Sequence, residues 1–156
     1  SALHKNYTTM QWQMVLDKTL ISSKNINVKG DFIMKVVATE KAPKALGPYS
    51  QGYVHNGVFY SAGQIAINPE TNNVEADTIE GQTEQVCKNL GEVLKAAGTD
   101  FDHVLKTTCF LADMGDFAAF NEVYAKYFTS KPARSCVAAK ALPKGVLCEI
   151  EAIAVK

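Results

Sequence analysis

The last stretch of the chain, Leu147-Cys148-Glu149-Ile150-Glu151-Ala152-Ile153-Ala154-Val155, decides the fold. Successive side chains of an extended strand point to opposite faces, so the sequence assigns each of these residues to one of two sides. One side carries Cys148, Ile150, Ala152 and Ala154, and the other carries Leu147, Glu149, Glu151, Ile153 and Val155. Because both sides carry apolar residues, neither side is clearly the solvent-exposed one. We therefore expect a strand within a sheet whose uncovered face mediates oligomerisation.

Upstream of this strand, predicted strands alternate with predicted helices. Arg134 to Ala139 and Val104 to Leu111 are rich in β-forming residues. A 3.6-residue apolar period predicts a long helix that is capped by Thr78 at its start and by Gly98 at its end. A second helix is predicted after Asp113 to Asp116, which we expect to supply its cap. Its apolar residues are Phe117, Phe120, Val123, Tyr124 and Phe128.

The first part of the domain has strand and turn signals. Val36 to Thr39 suits a strand, and His55-Asn56-Gly57 between apolar runs predicts a β-hairpin. Pro43, Gly47 and Pro48 indicate an extended loop that presents Tyr49. The element order predicts an α+β fold, with a mixed β-sheet and both helices on one face. Two helices cannot cover both faces of such a sheet.

Composition limits the classes of protein that this chain can belong to. Its 156 residues are 47% hydrophobic and 21% charged, with a formal net charge of zero, which is typical of one globular domain. With no block of like charge, a nucleic-acid partner is disfavoured. No apolar stretch is long enough to span a bilayer. Cys87, Cys109, Cys136 and Cys148 form no paired motif, and the histidines are scattered, so we expect reduced thiols and no metal site.

The first 33 residues differ in composition from the rest. Residues 1–33 carry four Lys against two Asp, whereas residues 34–156 have a net charge of −2. The segment that begins at Met34 resembles the natural start of a protein chain. We therefore expect residues 1–33 to be an extension or a cloning remnant, and 34–156 to be the domain. The reduced thiols favour a cytoplasmic location, and a mitochondrial one stays open because the extension is poor in acids.

One basic residue stands apart from all the others. Fifteen of the 16 basic residues are Lys, and the single arginine is Arg134. Arginine offers a planar fork that can bind a carboxylate or phosphate through two parallel hydrogen bonds, which lysine cannot do. From composition alone, a structural ion pair is an equally good interpretation.

Six motifs in order carry a family resemblance. The chain from about Met34 to Lys156 resembles the RidA/YjgF family of reactive intermediate deaminases. The motifs are Gly47-Pro48-Tyr49-Ser50-Gln51-Gly52, Ser61-Ala62-Gly63-Gln64-Ile65, Asp116-Phe117 with Asn121 and Tyr124, Pro132-Ala133-Arg134-Ser135-Cys136-Val137, Leu142-Pro143-Lys144-Gly145 and Glu149 to Val155.

The resemblance implies a fold, an assembly and an activity. The fold is α+β and chorismate-mutase-like, and three chains form a trimeric barrel with sites in the clefts between subunits. The implied reaction is the hydrolysis of 2-aminoacrylate, 2-iminopropanoate and 2-iminobutanoate to 2-oxo acids and ammonia, without a cofactor or a metal. The implied partners are thus a small imino or enamine acid and two further copies of the chain, with no membrane.

The resemblance also assigns roles to individual residues. Arg134 would hold the substrate carboxylate, Glu149 would orient or activate water, and Tyr49 would lie at the cleft. Gly63 and Cys136 would offer backbone contacts, and Asn121 would line the cleft. If Glu149 is partly buried and close to Arg134, burial raises its pKa and the cation lowers it, and the sequence leaves open which effect is larger. Its role as a base or as a positioner of water also stays open.

Simpler interpretations of the same residues exist. Tyr49 could only pack on its loop, Asn121 could cap a loop, and Cys136 is more typical of a small core residue than of a nucleophile. Two other functions also stay open. One is an endoribonuclease or translation inhibitor, and the other is a non-catalytic module that acts as a chaperone or binds small carboxylic acids.

Overall fold

The computed structural model describes residues 34–156, and these form a mixed sheet with two helices. The predicted extension, residues 1–33, lies outside the described residues. The strands are β1 Lys35–Val37, β2 Gly52–His55, β3 Val58–Ser61, β4 Gln64–Ile65, β5 Val104–Leu111, β6 Ala133–Ala138 and β7 Cys148–Val155. The helices are α1 Ile79–Ala97 and α2 Phe117–Tyr127, and short 3₁₀ turns cover Phe101–His103, Met114–Asp116 and Pro143–Gly145.

Strand β7 lies in the middle of the sheet. The strand order is β1-β2-β3-β7-β5-β6, and β4 also pairs with β7. The β5–β6 pair is parallel and the other pairs are antiparallel. The predicted α+β fold with a mixed sheet is therefore confirmed for the described part of the chain.

The two sides of β7 face different surroundings. Cys148, Ile150, Ala152 and Ala154 are at most 2% exposed and belong to the core formed with α1 and α2. The alternate residues of β7 are half-buried. Both helices cover the same face, as predicted, because their core residues all pack on this one side. They include Val86, Leu90, Val93 and Leu94 of α1 and Phe120 and Tyr124 of α2.

The second face of the sheet carries apolar side chains that neither α1 nor α2 covers. Strand register places Val36, Tyr53, Tyr60 and Ile153 in one row across four strands. Tyr60 is 47% exposed, and Val137 at the other end of the sheet is 49% exposed. We call these five residues and their neighbours on this face the open face. Its apolar character agrees with the pattern in the sequence.

Local signals in the sequence account for most element ends. The Thr78 side chain accepts a hydrogen bond from the Gly81 N–H, and Gly98 is left-handed (φ 83°), as predicted for the two caps of α1. The prediction for α2 was wrong in part. Asp113 caps the 3₁₀ turn, by accepting from Gly115 N–H, and Asp116 makes no capping bond. The 3₁₀ turn runs directly into α2, which ends before Phe128.

Strand β1 is shorter than predicted, for an identifiable reason. Thr39 leaves the ladder because the buried Gln51 side chain takes both of its backbone groups. Gln51 Oε1 accepts from the Thr39 N–H at 2.7 Å, and its amide donates to the Thr39 carbonyl at 3.0 Å. The same amide lies 2.8 Å from the Pro43 carbonyl oxygen. This side chain therefore fixes the loop that carries Tyr49.

Strand β4 was not predicted, and a buried amide holds it. Asn89 of α1 is 1% exposed, and its Nδ2 donates to the carbonyls of Ile65 at 3.0 Å and Ile67 at 2.8 Å. Gln85 donates in turn to the Asn89 Oδ1. This segment therefore depends on one side chain that lies more than twenty residues away in the sequence.

We predict that Asn89→Ala lowers the free energy of unfolding by about 2–4 kcal/mol, because two buried carbonyls lose their donor. Chemical denaturation measures the change. Asn73→Ala, in an exposed turn, is the matched control, and we expect it to change stability by less than about 0.5 kcal/mol. Equal effects of the two variants would contradict this assignment of the buried amide.

Candidate functional site

Arg134 lies on the helix-covered side of β6. It is opposite Thr107 of β5 in the parallel register, and its neighbour on the same side, Cys136, is opposite the fully buried Cys109. The guanidinium Nη1 donates to Asn121 Oδ1 at 2.7 Å. The predicted residues Arg134, Asn121 and Cys136 therefore lie together, between β6 and α2.

Two aromatic rings of α2 complete the surroundings of the guanidinium. Its Cζ lies 4.7 Å from the ring centroid of Tyr124 and 5.5 Å from that of Phe117. Phe117, Asn121 and Tyr124 occupy positions i, i+4 and i+7, which lie on one side of a helix. We call these three residues the α2 clamp. The apolar pattern of the sequence predicts both rings as core residues and does not reveal their contact with Arg134. The i, i+4, i+7 spacing of Phe117, Asn121 and Tyr124 was nevertheless a usable signal.

Glu149 lies on the open face. It stands on β7 between Cys148 and Ile150, both fully buried towards the helices, so its side chain points the other way. It borders a pocket of about 440 Å³ at one end of the sheet. The other lining residues are Leu46, Gly47, Pro48, Tyr49, Ala62, Gly63, Ile65 and Pro143. The predicted residues Glu149, Gly63 and Tyr49 therefore form a second group.

The environment of Glu149 favours its protonated form. Burial raises the pKa of this carboxyl above its usual range, and the charge of Glu151 on the same face raises it further. The sequence alone leaves open whether burial or Arg134 has the larger effect on the pKa of Glu149. Within the described chain burial is the larger cause, because Arg134 lies on the other side of the sheet.

Gly63 is in very close contact with Glu149. A Cβ atom at position 63 would lie 1.8 Å from the Glu149 Oε1 and 2.7 Å from its Cδ. The chain can approach so closely because it leaves the ladder between β3 and β4. There the Ser61 Oγ accepts from the Ala152 N–H at 2.8 Å in place of a backbone carbonyl. A side chain at position 63 would displace the carboxyl group.

Tyr49 is half exposed at the rim of the pocket. Its hydroxyl accepts a hydrogen bond from the Leu46 N–H at 3.0 Å, and the Gln51 amide anchors the loop. A neighbouring pocket of about 420 Å³ beside β1 shares Tyr49 but contains neither Glu149 nor Gly63. The 440 Å³ pocket is therefore the one that joins the predicted residues.

The two groups do not meet within one chain. Register puts Cys136, Cys109 and Ile150 on the helix-covered face, and puts Glu149 on the opposite face with Phe110 and Val137. Within a single chain Glu149 is therefore not near the guanidinium of Arg134, and the roles assigned to both residues stay predictions. The physical reason is strand alternation, which separates Glu149 from the side that Arg134 occupies.

The cysteines of the described residues are not activated as nucleophiles. Burial raises the pKa of Cys136, and Arg134 opposes it with a smaller effect. Burial raises the pKa of Cys109 to about 12 and that of Cys148 to about 11. Thiols with raised pKa values are poorly ionised near neutrality.

In residues 34–156, no group of three or more His, Cys, Asp and Glu side chains is arranged to hold a metal ion. In the same residues, no helix combines the length and apolarity needed to cross a membrane.

Comparison with known proteins identifies the class. The fold is that of an α+β protein with two helices on one face of a mixed sheet, and a family model described as Endoribonuclease L-PSP matches residues 39–156. A mouse protein named 2-iminobutanoate/2-iminopropanoate deaminase is 48% identical over 125 residues, which cover 80% of this chain and 93% of that protein. The Arabidopsis thaliana protein Reactive Intermediate Deaminase A, chloroplastic, is 48% identical over 132 residues, covering 83% and 71%.

A solved structure agrees with these relatives. The crystal structure of E. coli TdcF with bound serine superposes with a TM-score of 0.75 at 40% sequence identity, and the match covers 78% of this chain and 98% of that one. The chain therefore belongs to the RidA/YjgF family, which the family model describes as Endoribonuclease L-PSP. The resemblance seen in the sequence is confirmed.

We predict that the effects of Gly63→Ala and Glu149→Ala on stability are coupled. Gly63→Ala forces the carboxyl group out of its place, and this strain vanishes once the carboxyl is removed. A double-mutant cycle by chemical denaturation measures the coupling, which we expect at about 0.5–3 kcal/mol. The same cost of Gly63→Ala with and without Glu149 would show that the carboxyl does not pack on this glycine.

Proposed function

We propose that the chain hydrolyses reactive 2-imino and enamine acids to 2-oxo acids and ammonia. The substrates are 2-aminoacrylate, 2-iminopropanoate and 2-iminobutanoate. Two observations carry the proposal. Within residues 34–156 the guanidinium of the single arginine, Arg134, makes one hydrogen bond, to Asn121, and Glu149, a half-buried acid of raised pKa, lies in a pocket. The names of the mouse and Arabidopsis relatives support the reaction class. The serine bound to TdcF supports a site for a small acid that carries nitrogen.

The proposed site forms between two copies of the chain. Because Arg134 and Glu149 lie on opposite faces, a single small substrate cannot reach both in one chain. An assembly in which the open face packs against neighbouring copies removes this separation and covers the exposed apolar row. We propose a homotrimer with three such sites, as the family resemblance implies.

The proposed roles follow from the chemistry of each side chain. Arg134 binds the substrate carboxylate through two parallel N–H bonds, which the planar guanidinium offers and a lysine does not. Asn121 holds the guanidinium, while the backbones of Gly63 and Cys136 and the Tyr49 side chain line the cleft. Glu149 lies next to the water and the reacting carbon.

The proposed reaction balances without a cofactor, because an imine carbon is already electrophilic. The substrate reacts as its protonated form, the iminium ion. Water adds its oxygen to the iminium carbon, Glu149 accepts a proton from the water and the C=N electron pair moves to nitrogen, which gives a neutral carbinolamine. Glu149 then returns the proton to nitrogen, the C–N bond breaks as ammonia leaves with the bonding electron pair, and the remaining hydroxyl gives its proton to the Glu149 carboxylate, which yields the 2-oxo acid. 2-Aminoacrylate enters after protonation at its methylene carbon. A carboxyl with a raised pKa suits proton transfer in both directions near neutrality.

Two alternatives follow from the family. The family model is named for an endoribonuclease, but residues 34–156 carry a net charge of −2 and lack the basic stripe that binds a phosphate backbone. A non-catalytic carboxylate-binding or chaperone-like module would use Arg134 without needing Glu149. We propose a cytoplasmic location on the basis of the free thiols, all four of which lie in the described residues.

We predict that the protein accelerates release of 2-oxobutanoate from 2-iminobutanoate generated in place by a threonine dehydratase. The amount of imine that semicarbazide still traps at successive times gives the rate of the reaction. Arg134→Lys keeps the charge but loses the fork, and we expect kcat/KM to fall about 10- to 100-fold. Wild-type rates equal to buffer, with the protein folded, would reject the deaminase. RNA binding with a steep salt dependence would instead favour the ribonuclease.

We also predict that two inactive variants restore activity when mixed. In assemblies made only of Arg134→Ala chains, or only of Glu149→Gln chains, every site lacks one of the two residues and is inactive. Unfolding and refolding them together at equal amounts gives mixed assemblies in which about one site in four has both residues intact. Activity should therefore recover to about a quarter of the wild-type value. No recovery in assemblies proven to be mixed would place both residues in one chain's site and contradict the interface proposal.

A further inference from the structure

Three side chains of α2, those of Phe117, Asn121 and Tyr124, contact the guanidinium of Arg134. Arginine has four rotatable side-chain bonds, and ordering such a side chain when a ligand binds opposes binding because conformational freedom is lost. In residues 34–156 the guanidinium makes one hydrogen bond, to Asn121, and has two rings against it. A single hydrogen bond would leave the group free to swing about the bonded nitrogen. The rings restrict that motion.

The ring of Tyr124 is itself fixed from two directions. Its hydroxyl is 2.7 Å from the Oγ1 of Thr107, which is fully buried and lies next to Arg134 in the strand register. Its ring stacks on Phe128, with centroids 4.1 Å apart and planes 16° apart. Burial raises the pKa of Tyr124 to about 12, so the phenol is neutral and contributes its ring, not a charge. Tyr124 thus connects the guanidinium to β5 and to Phe128, the residue that follows the end of α2.

The contacts leave the donors of the guanidinium available. A ring over Cζ attracts the cation without accepting an N–H bond along the guanidinium plane. Asn121 takes one of the five N–H groups, and a carboxylate bound in the forked geometry needs two of the remaining four. The α2 clamp therefore restrains the group without using up its binding capacity.

We propose that Tyr124 and Phe117 are positioning residues that hold Arg134 ready for a substrate carboxylate, with Thr107 fixing the Tyr124 ring. The importance of this for catalysis rests on the proposed function. The contacts themselves do not, so they can be tested apart from it. Tyr124 and Phe117 touch neither the substrate nor the reacting atoms in this proposal. They act only through the guanidinium.

The single arginine makes a direct test possible. Labelling the protein with ¹⁵N-arginine gives one Hε–Nε signal, which belongs to Arg134. In the wild type we expect a ring-shifted signal with slow motion. Tyr124→Leu should move it towards the shift of a free arginine and increase its motion, whereas Tyr124→Phe should keep the ring effect. Val123→Ala, a buried change on the same helix, is the control and should leave the signal unchanged.

Ligand binding supplies the second readout. Calorimetry with 2-oxobutanoate should show about 3- to 30-fold weaker binding in Tyr124→Leu, because the cation–ring contact that orders the guanidinium is lost. The neutral 2-oxobutanamide should bind equally to Tyr124→Leu and the wild type. In turnover, KM for 2-iminobutanoate should rise more than kcat falls. Phe117→Leu repeats the test if Tyr124→Leu does not fold.

The outcomes separate the two proposals. An Arg134 signal that is unchanged in both Tyr124→Leu and Phe117→Leu would overturn the positioning role, and so would equal losses of 2-oxobutanoate binding in Tyr124→Leu and Val123→Ala. A shifted signal in a protein that does not hydrolyse imines would reject the proposed function while the positioning role stands.

Discussion

Strand alternation on β7 is the constraint on which the rest of the structure depends. Every second residue of this central strand enters the core beneath α1 and α2, and the residues between them line the open face. Glu149 therefore lies on the open face because Cys148 and Ile150 fill the core on either side of it. The same period-two rule puts Arg134 and Cys136 beneath α2. The alternation of side chains that packs the core therefore also determines on which face of the sheet Glu149, Arg134 and Cys136 lie.

Buried amides hold the irregular segments around this strand. Gln51 fixes the loop that carries Tyr49, and Asn89 fixes β4, which follows Gly63. Both satisfy backbone groups that have left the sheet ladder, and unsatisfied groups there would be costly. The chain can then bring the Gly63 backbone against the Glu149 carboxyl without losing hydrogen bonds. The pocket depends on these two side chains although neither is expected to react.

Glu149 and Arg134 lie in different electrostatic surroundings. Glu149 is in an environment that raises the pKa of its carboxyl, so its ionised form is disfavoured there and proton transfer becomes easier. Arg134 is instead surrounded by groups that suit a cation, an amide oxygen and two rings. One group is destabilised in its charged state and the other is stabilised in it. This difference is consistent with a proton carrier and a fixed anchor.

The sequence by itself determined the α+β class, the caps of α1 at Thr78 and Gly98, the two apolar sides of β7 and the family, because periodicity and turn chemistry are local properties. It also singled out Arg134 and Glu149. It did not reveal β4, the role of Gln51 in ending β1, or the contact of Phe117 and Tyr124 with Arg134, since those depend on residues far apart in the chain. Only the tertiary structure decided that Arg134 and Glu149 lie on opposite faces. Alternation determines which residues of one strand point to the same side. Only the register between β5, β6 and β7 determines which residues of different strands lie on the same face of the sheet.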